Sequence, residues 1–232
     1  MQDPFEKAFY DYLAGNDKAK IVVSINKGEA DDIRISYFFR THDEMPELEK
    51  KALHLCSGKI LDIGAGSGSH SLYLQENGED VTALDIKQGF VDVMKKRGVK
   101  NVICSDIFDY KGQGFDTLLM LMNGIGFTKN FEGLTVFLKS AKKLLNPGGQ
   151  IILDSSDLMY LYEEEDGSYA INLNEEYYGE VMYQIEYNNI KGEPFQWLYI
   201  DFDNLSLYAD QVGFSCEKIF ENNHYNYLAR LY

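Results

Sequence analysis

The stretch Ile60-Leu-Asp-Ile-Gly-Ala-Gly-Ser-Gly68 decides how this chain is read. A short apolar strand, Lys59 to Ile63, runs directly into glycines at positions 64, 66 and 68. Glycine carries no Cβ, so such a run turns sharply and lets the backbone approach a ligand closely. The helix expected next points its first amides, with their partial positive charge, at whatever lies in front of the turn.

Outward from that turn, strand and helix alternate. Val81-Thr-Ala-Leu-Asp85 is a second strand, and Phe90 to Arg97 is a helix stopped by Gly98. Val102 to Ser105 is a third strand and Phe115 to Met122 a fourth. Leu134, Phe137, Leu138, Ala141, Leu144 and Leu145 recur at helical spacing until Pro147-Gly148-Gly149 ends the helix. Ile151 to Leu153 is a fifth strand. Near-continuous apolar strands separated by helices predict a parallel sheet covered on both faces.

Beyond Asp157 the pattern changes. Val181, Tyr183, Ile185 and Tyr187 alternate with polar or flexible residues, as do Phe195, Trp197 and Tyr199, which predicts an antiparallel hairpin turning within 188–194. A helix near 205–211 and strands near 216–220 and 227–232 follow. Upstream, helices are expected near 4–14 and 44–57, and 33–40 reads as a strand or a lid. The expected fold is α/β: a doubly wound, mostly parallel seven-stranded sheet with an antiparallel C-terminal strand pair, a helical N-terminal cap and a β-hairpin insertion after strand 5. The expected division is 1–58 as cap or lid, 59–157 as ligand-binding core, 158–200 as a lid or dimer contact, and 201–232 completing the core.

Asp62 followed by the glycine turn resembles the first motif of the class I, Rossmann-like S-adenosylmethionine (SAM)-dependent methyltransferases, an acid followed by GxGxG. The resemblance runs motif by motif over about residues 58 to 157 and in outline beyond them. It implies SAM as cofactor, with Gly64, Ala65, Gly66 and Gly68 cradling its methionine portion and Asp62 helping to hold the amino group. Asp85, at the end of the second strand, takes the place of the family's ribose clamp, with Ile86 beside it. One carboxylate can accept from both ribose hydroxyls. Asp106 and Ile107 correspond to the adenine-recognition position. Met122 ends the fourth strand, whose edge lines the methyl-transfer cavity in that family.

On the acceptor side, Asn123 either orients the acceptor or simply makes a turn with Gly124. Asp154 and His224 are the candidate general bases for a hydroxyl or carbon acceptor, whereas a neutral amine or thiolate would need little beyond alignment. Tyr37, Arg40, Asn123 and Tyr225 are placed in the substrate pocket. His70, on the helix after the glycine loop, reads more readily as structural. Asn123-Gly-Ile-Gly departs from the N/D-PPY pattern of amino-methylating nucleic-acid enzymes. One rival is an NAD-dependent oxidoreductase, since Gly64-x-Gly66-x-x-Ser69 approximates GxGxxG and Asp85 suits an NAD ribose. Another is a non-catalytic SAM-binding regulatory module. Ser69, where glycine or alanine is usual, and the antiparallel ending both favour the methyltransferase.

Among 232 residues, 37 acids against 22 Lys and Arg leave a net charge of −15. Such a charge repels phosphate backbones and anionic membrane surfaces. The expected partner is therefore a small-molecule methyl acceptor, neutral or cationic, with no nucleic acid and no membrane, and the chain is expected as a monomer or homodimer. Cys56, Cys104 and Cys216 form no disulfide framework or zinc site, and no metal is expected. The start, Met1 to Lys7, lacks a signal-peptide pattern, and the apolar run Leu118 to Met122 is too short to span a bilayer, so a cytoplasmic location is expected. The acidic run Glu163 to Asp166 is expected to be a solvated face.

Overall fold

Successive side chains of a strand point to opposite faces, and in the central strands of this chain both faces are apolar. The computed structural model describes residues 3–26, 30–164, 166–171 and 176–232, so Met1 and Gln2 of the amino-terminal stretch and Glu165 of the acidic run lie outside them. The described chain forms α1 (Pro4–Leu13), β1 (Lys20–Ile25), β2 (Asp31–Arg34), α2 (Glu47–Leu55), β3 (Lys59–Ile63), α3 (Ser69–Glu76), β4 (Asp80–Asp85), α4 (Gln88–Arg97) and β5 (Val102–Cys104). It continues through β6 (Phe115–Met120), α5 (Phe131–Leu144), β7 (Leu145–Ser156), β8 (Glu180–Tyr187), β9 (Ile190–Lys191), β10 (Phe195–Leu198), α6 (Phe202–Val212), β11 (Cys216–Glu221) and β12 (Asn226–Leu231). Single-turn 3-10 segments occupy Ile35–Phe39, His42–Glu44, Gly124–Thr128 and Leu158–Tyr162.

The main sheet has seven strands in the order β11-β12-β7-β6-β3-β4-β5. β3, β4, β5, β6 and β7 are parallel, and β12 runs antiparallel to both β7 and β11. This is the expected doubly wound sheet with its antiparallel ending. Leu61, Leu118, Ile151 and Ala229 face a core shared with α5 and α6, through Phe137, Leu138, Leu205 and Ala209. Ile60, Leu119, Ile152 and Leu228 face the opposite side, under Ala52 and Leu53 of α2 and Leu74 of α3. The chain leaves β3 toward β4 and β5 but later returns to β6 on the other side of β3. That reversal opens a crevice beyond the carboxyl ends of β3 and β6, where ligands of open α/β sheets bind.

A second sheet joins two segments that the sequence reading treats separately. Its order is β10-β8-β1-β2, with β9 attached to β8, and β1 pairs with β8 from Val22↔Glu186 to Ile25↔Tyr183. The insertion hairpin is there, but its partner is the amino-terminal segment, which contributes strands as well as the expected helices. Phe9 of α1, Ile21 of β1, Ile185 of β8 and Phe90 of α4 share one buried cluster that fixes this cap to the core. In the segment 33–40, β2 ends at Arg34 and the Ile35–Phe39 turn follows, so only its first residues are strand. Among the described residues, no helix is long and apolar enough to cross a membrane.

Candidate active site at the carboxyl edge of the sheet

Gly64, Gly66 and Gly68 have φ of 73°, 56° and 78°, in the left-handed region where a side chain is strained. Their surroundings differ. A Cβ on Gly64 would meet nothing within 4 Å, and one on Gly66 only the Gly64 carbonyl at 3.9 Å, so both border open space. A Cβ on Gly68 would come within 2.8 Å of Val99 and 2.9 Å of Met94. Gly68 therefore lets α3 start against α4, whereas Gly64 and Gly66 leave the cradle itself. The loop is anchored by Gly64 and Ala65, whose amides donate to the Leu84 carbonyl at 2.8 and 3.1 Å.

Asp85 lies directly beside this cradle. Its Oδ2 accepts from the Gly66 amide at 3.0 Å and its Oδ1 from the Lys87 amide at 2.9 Å. Burial pushes its carboxyl up to about 6, against the pull of those amides and of the Lys87 charge. Asp62 is buried beneath the loop, where Ser71 of α3 donates to it at 2.6 Å. Burial raises its carboxyl too, with His70 and Ser71 opposing. Ile86 is 61% exposed, an apolar surface next to the ribose position. Asp106 accepts from the Phe108 amide at 2.9 Å, and Ile107 is buried. The open space before two glycines, beside an oriented carboxylate, suits the ribose and methionine portions of SAM.

Across the crevice, Met122 and Asn123 follow β6 with φ of 62° and 55°. Two consecutive left-handed residues with side chains cost roughly 1–3 kcal/mol each. Local bonds hold them: Asn123 Nδ2 donates to the Leu198 carbonyl at 3.3 Å, and its Oδ1 accepts from Ser155 Oγ at 2.8 Å. Of the two readings of Asn123, these bonds favour the turn, since they use its side chain to tie β6 to β7 and to the end of β10. Its amide donates to Asp154 Oδ1 at 3.0 Å. Burial pushes Asp154 up to about 7, with Glu49 adding to the rise and the Asn123 amide and His70 opposing it. Asp154 is half-buried as a residue.

Glu49 of α2 escaped the sequence reading. It is 4% exposed, accepts from His70 Nε2 at 2.7 Å, and pairs with Arg40. Burial pushes its carboxyl up, but the bonds and charges of His70 and Arg40 outweigh burial and hold it below its ordinary value. The Arg40 guanidinium also lies 3.8 Å over the Tyr37 ring. Arg40 thus serves as a support behind the pocket, and His70 joins it there. The available signal was that Leu48, Glu49, Ala52 and Leu53 share the buried side of α2.

The cap is bolted onto the glycine loop by residues no motif marks. Ser67 and Ser69 both donate to the Phe38 carbonyl, the latter at 2.9 Å. Arg97 donates to the Ser67 carbonyl at 2.8 Å. Tyr225 and His224 sit in the β11–β12 turn. Tyr225 stacks on Tyr160 at 5.4 Å. His224 is exposed, with its amide donating to Asn222 Oδ1 at 2.8 Å, and no bond links it to Asp154 among the described residues.

Residues 61–153 match the family model described as a methyltransferase domain. A SAM-dependent methyltransferase from Bacteroides fragilis, solved in complex with S-adenosyl-L-homocysteine, is 45% identical, with a TM-score of 0.92, covering 99% of this chain and 94% of that one. The biotin biosynthesis bifunctional protein BioHC of Saccharophagus degradans is 24% identical over 173 residues, which is 72% of this chain and 28% of that protein. A demethylmenaquinone methyltransferase of Tropheryma whipplei is 26% identical over 44% of each chain. The chain thus spans less than half the length of these two curated relatives. A likeness at 45% identity over nearly the whole of a chain solved with the demethylated cofactor, joined to a glycine cradle beside Asp85, places this protein among the SAM-dependent methyltransferases.

Proposed function

We propose that the chain transfers a methyl group from SAM, by in-line displacement, to a small-molecule acceptor held between the cap and the carboxyl edge of the sheet. The observation that carries this reading is that the cap touches the chain on both sides of the crevice, at the loops that follow β3 and β6. Ser67 and Ser69 hold the Phe38 carbonyl on one side, and Trp197 packs against Gly126 beyond β6 on the other. A polymer substrate needs an open basic track, and a net charge of −15 argues against one.

In this reading residues 59–157 are the cofactor-binding core, and 1–58 together with 158–200 form the cap. SAM supplies the electrophilic methyl. Gly64, Ala65 and Gly66 offer backbone to its methionine portion, Asp62 lends negative charge near the amino group, Asp85 accepts from the ribose hydroxyls, and Asp106 with Ile107 borders the adenine. Tyr37 and Tyr225 border the acceptor with Arg40 supporting Tyr37 from behind, Asp154 is the proton acceptor, and Met122 and Asn123 shape the wall between the two ligands. The chain's contribution is alignment and exclusion of water, worth several orders of magnitude in rate when geometry is held.

The test is transfer of labelled methyl from SAM into an extract divided into ultrafiltrable solutes, RNA, DNA and protein. Label among the small solutes is expected. Label confined to a polymer fraction would defeat the proposal.

A further inference from the structure

Phenol rings from four separate segments come together near the carboxyl end of β7. Tyr37 belongs to the Ile35–Phe39 turn, Tyr160 to the Leu158–Tyr162 turn, and Tyr183 to β8, while Tyr199 follows β10. Tyr183 and Tyr199 stack at 6.3 Å with their hydroxyls 2.6 Å apart, and Tyr160 stacks on Tyr225. Burial raises the phenols of Tyr37, Tyr183 and Tyr199 above the ordinary value, and neighbouring charges add to it: Asp154 on Tyr37 and Tyr199, Tyr160 on Tyr183 and Tyr199. Two of these rings, Tyr37 and Tyr199, thus lie close enough to Asp154, at the end of β7, to feel its charge, and Tyr183 and Tyr160 stand behind Tyr199.

That carboxylate has capacity left over. Asp154 Oδ1 takes the Asn123 amide, the carboxyl also feels its own amide, and no side chain among the described residues donates to it. The groups that face it are Glu49 from α2, His70 from α3, Tyr37 from the cap and Tyr199 beyond β10. The basic side chains nearby, Arg40 and His70, are both engaged by Glu49. An anionic acceptor would therefore meet negative charge without a free cation to receive it. Aromatic faces and a carboxylate with acceptor capacity to spare favour a cation, which ring faces attract.

Resting on the small-molecule reading above, we propose that the acceptor is a primary or secondary amine that enters as its ammonium ion, and that Asp154 takes the proton that frees its lone pair. The ammonium gives H⁺ to Asp154 Oδ2, leaving a neutral amine against the phenol wall. The nitrogen lone pair then forms the N–CH₃ bond as the CH₃–S bond breaks, and that bond's electron pair stays on sulfur. The products are the methylated ammonium and S-adenosyl-L-homocysteine, and Asp154 returns its proton to water. A carboxyl pushed up to about 7 is suited to hold a proton at neutral pH and to release it again.

The experiment uses the full chain with SAM and matched amine and alcohol pairs on benzyl, hexyl and hexose skeletons. It reads S-adenosyl-L-homocysteine formation, together with calorimetric binding of that product. At least one amine is expected to turn over about 100-fold faster than its alcohol. Asp154→Asn is expected to lower kcat/KM for that amine about 100-fold at pH 7 and by less at pH 10, where the free amine is already present, with product affinity within about twofold of wild type. A purely structural role for Asp154 would not shrink its defect with rising pH. Preference for an alcohol, a defect independent of pH, or product binding with no amine turned over would overturn the amine assignment and leave the small-molecule reading standing. Failure to bind the demethylated cofactor would overturn the site assignment on which both rest.

Discussion

The Gly66 amide donates to Asp85 Oδ2 across 3.0 Å, so the glycine loop and the carboxylate beside it form one hydrogen-bonded unit. With Lys87 on the other oxygen, Asp85 is oriented before any ligand arrives, and each oxygen retains a second acceptor direction. Pre-orientation of this kind cuts the ordering cost of binding.

Asp85→Ala should therefore weaken binding of S-adenosyl-L-homocysteine by about 10- to 100-fold, the loss of charge-assisted hydrogen bonds worth about 1.5–3 kcal/mol. Calorimetric titration checks this, and an unchanged affinity would remove Asp85 from the ribose position.

Asp85 and Asp154 are pushed up by burial to about 6 and about 7, while an aspartate in an unfolded chain titrates near about 3.9. Between those values the folded protein holds protons that the unfolded chain has released, so stability falls as pH rises from about 4 to about 7. Asp154→Asn, which removes that penalty, is expected to melt several degrees above wild type at pH 8, with the gap closing toward pH 5. Thermal unfolding of the unliganded proteins measures it, and a variant that melts lower at pH 8 would contradict the expectation.

Glu49 holds the buried Arg40 guanidinium and the buried His70 ring, whose partners its removal would take away. Glu49→Ala should cost about 3–5 kcal/mol, or roughly 10 °C in melting temperature. Its carboxyl is held below the ordinary range, so its contribution is present above about 4.3 and is lost as pH falls through the folded-state value. The deficit of the variant should consequently be smaller at pH 3.5 than at pH 7.

Gly64→Ala and Gly68→Ala separate cradle from packing. Gly64 borders open space, so its alanine variant should lose only the roughly 1–2 kcal/mol of a side chain in the left-handed region, together with affinity for the cofactor. Gly68 lies under Met94 and Val99, so its variant should lose about 1–3 kcal/mol of stability as well. Paired melting and titration curves distinguish the two, and identical profiles would refute the division.

The cofactor half of the site was legible because it is local. Asp62 to Gly68 is a strand, a turn and a helix start within one short stretch, and Asp85 ends the neighbouring strand in the same repeating pattern. The acceptor half was legible only as residue types. Asp154 stood out as a strand-end acid, but nothing along the chain relates it to Glu49, His70 and Tyr199, which come from three other elements. Asn123 looked like either a ligand or a turn residue, and its bonds to Ser155 and Leu198, both distant in the chain, favour the turn.

The cap shows the same division more sharply. Alternating apolar residues were enough to announce the hairpin of β8 and β10, because a two-residue period is written in consecutive positions. They could not announce that β1 would pair with β8, since Val22 and Glu186 meet only across the folded molecule. Periodicity and glycine placement act through a residue's immediate neighbours, and those by themselves determined the parallel sheet, its antiparallel ending and the cofactor loop. Which acid meets a basic side chain depends on groups brought together by packing, and only the tertiary structure decided that Glu49 pairs with Arg40 and His70 while Asp154, among the described residues, is bonded by backbone amides alone.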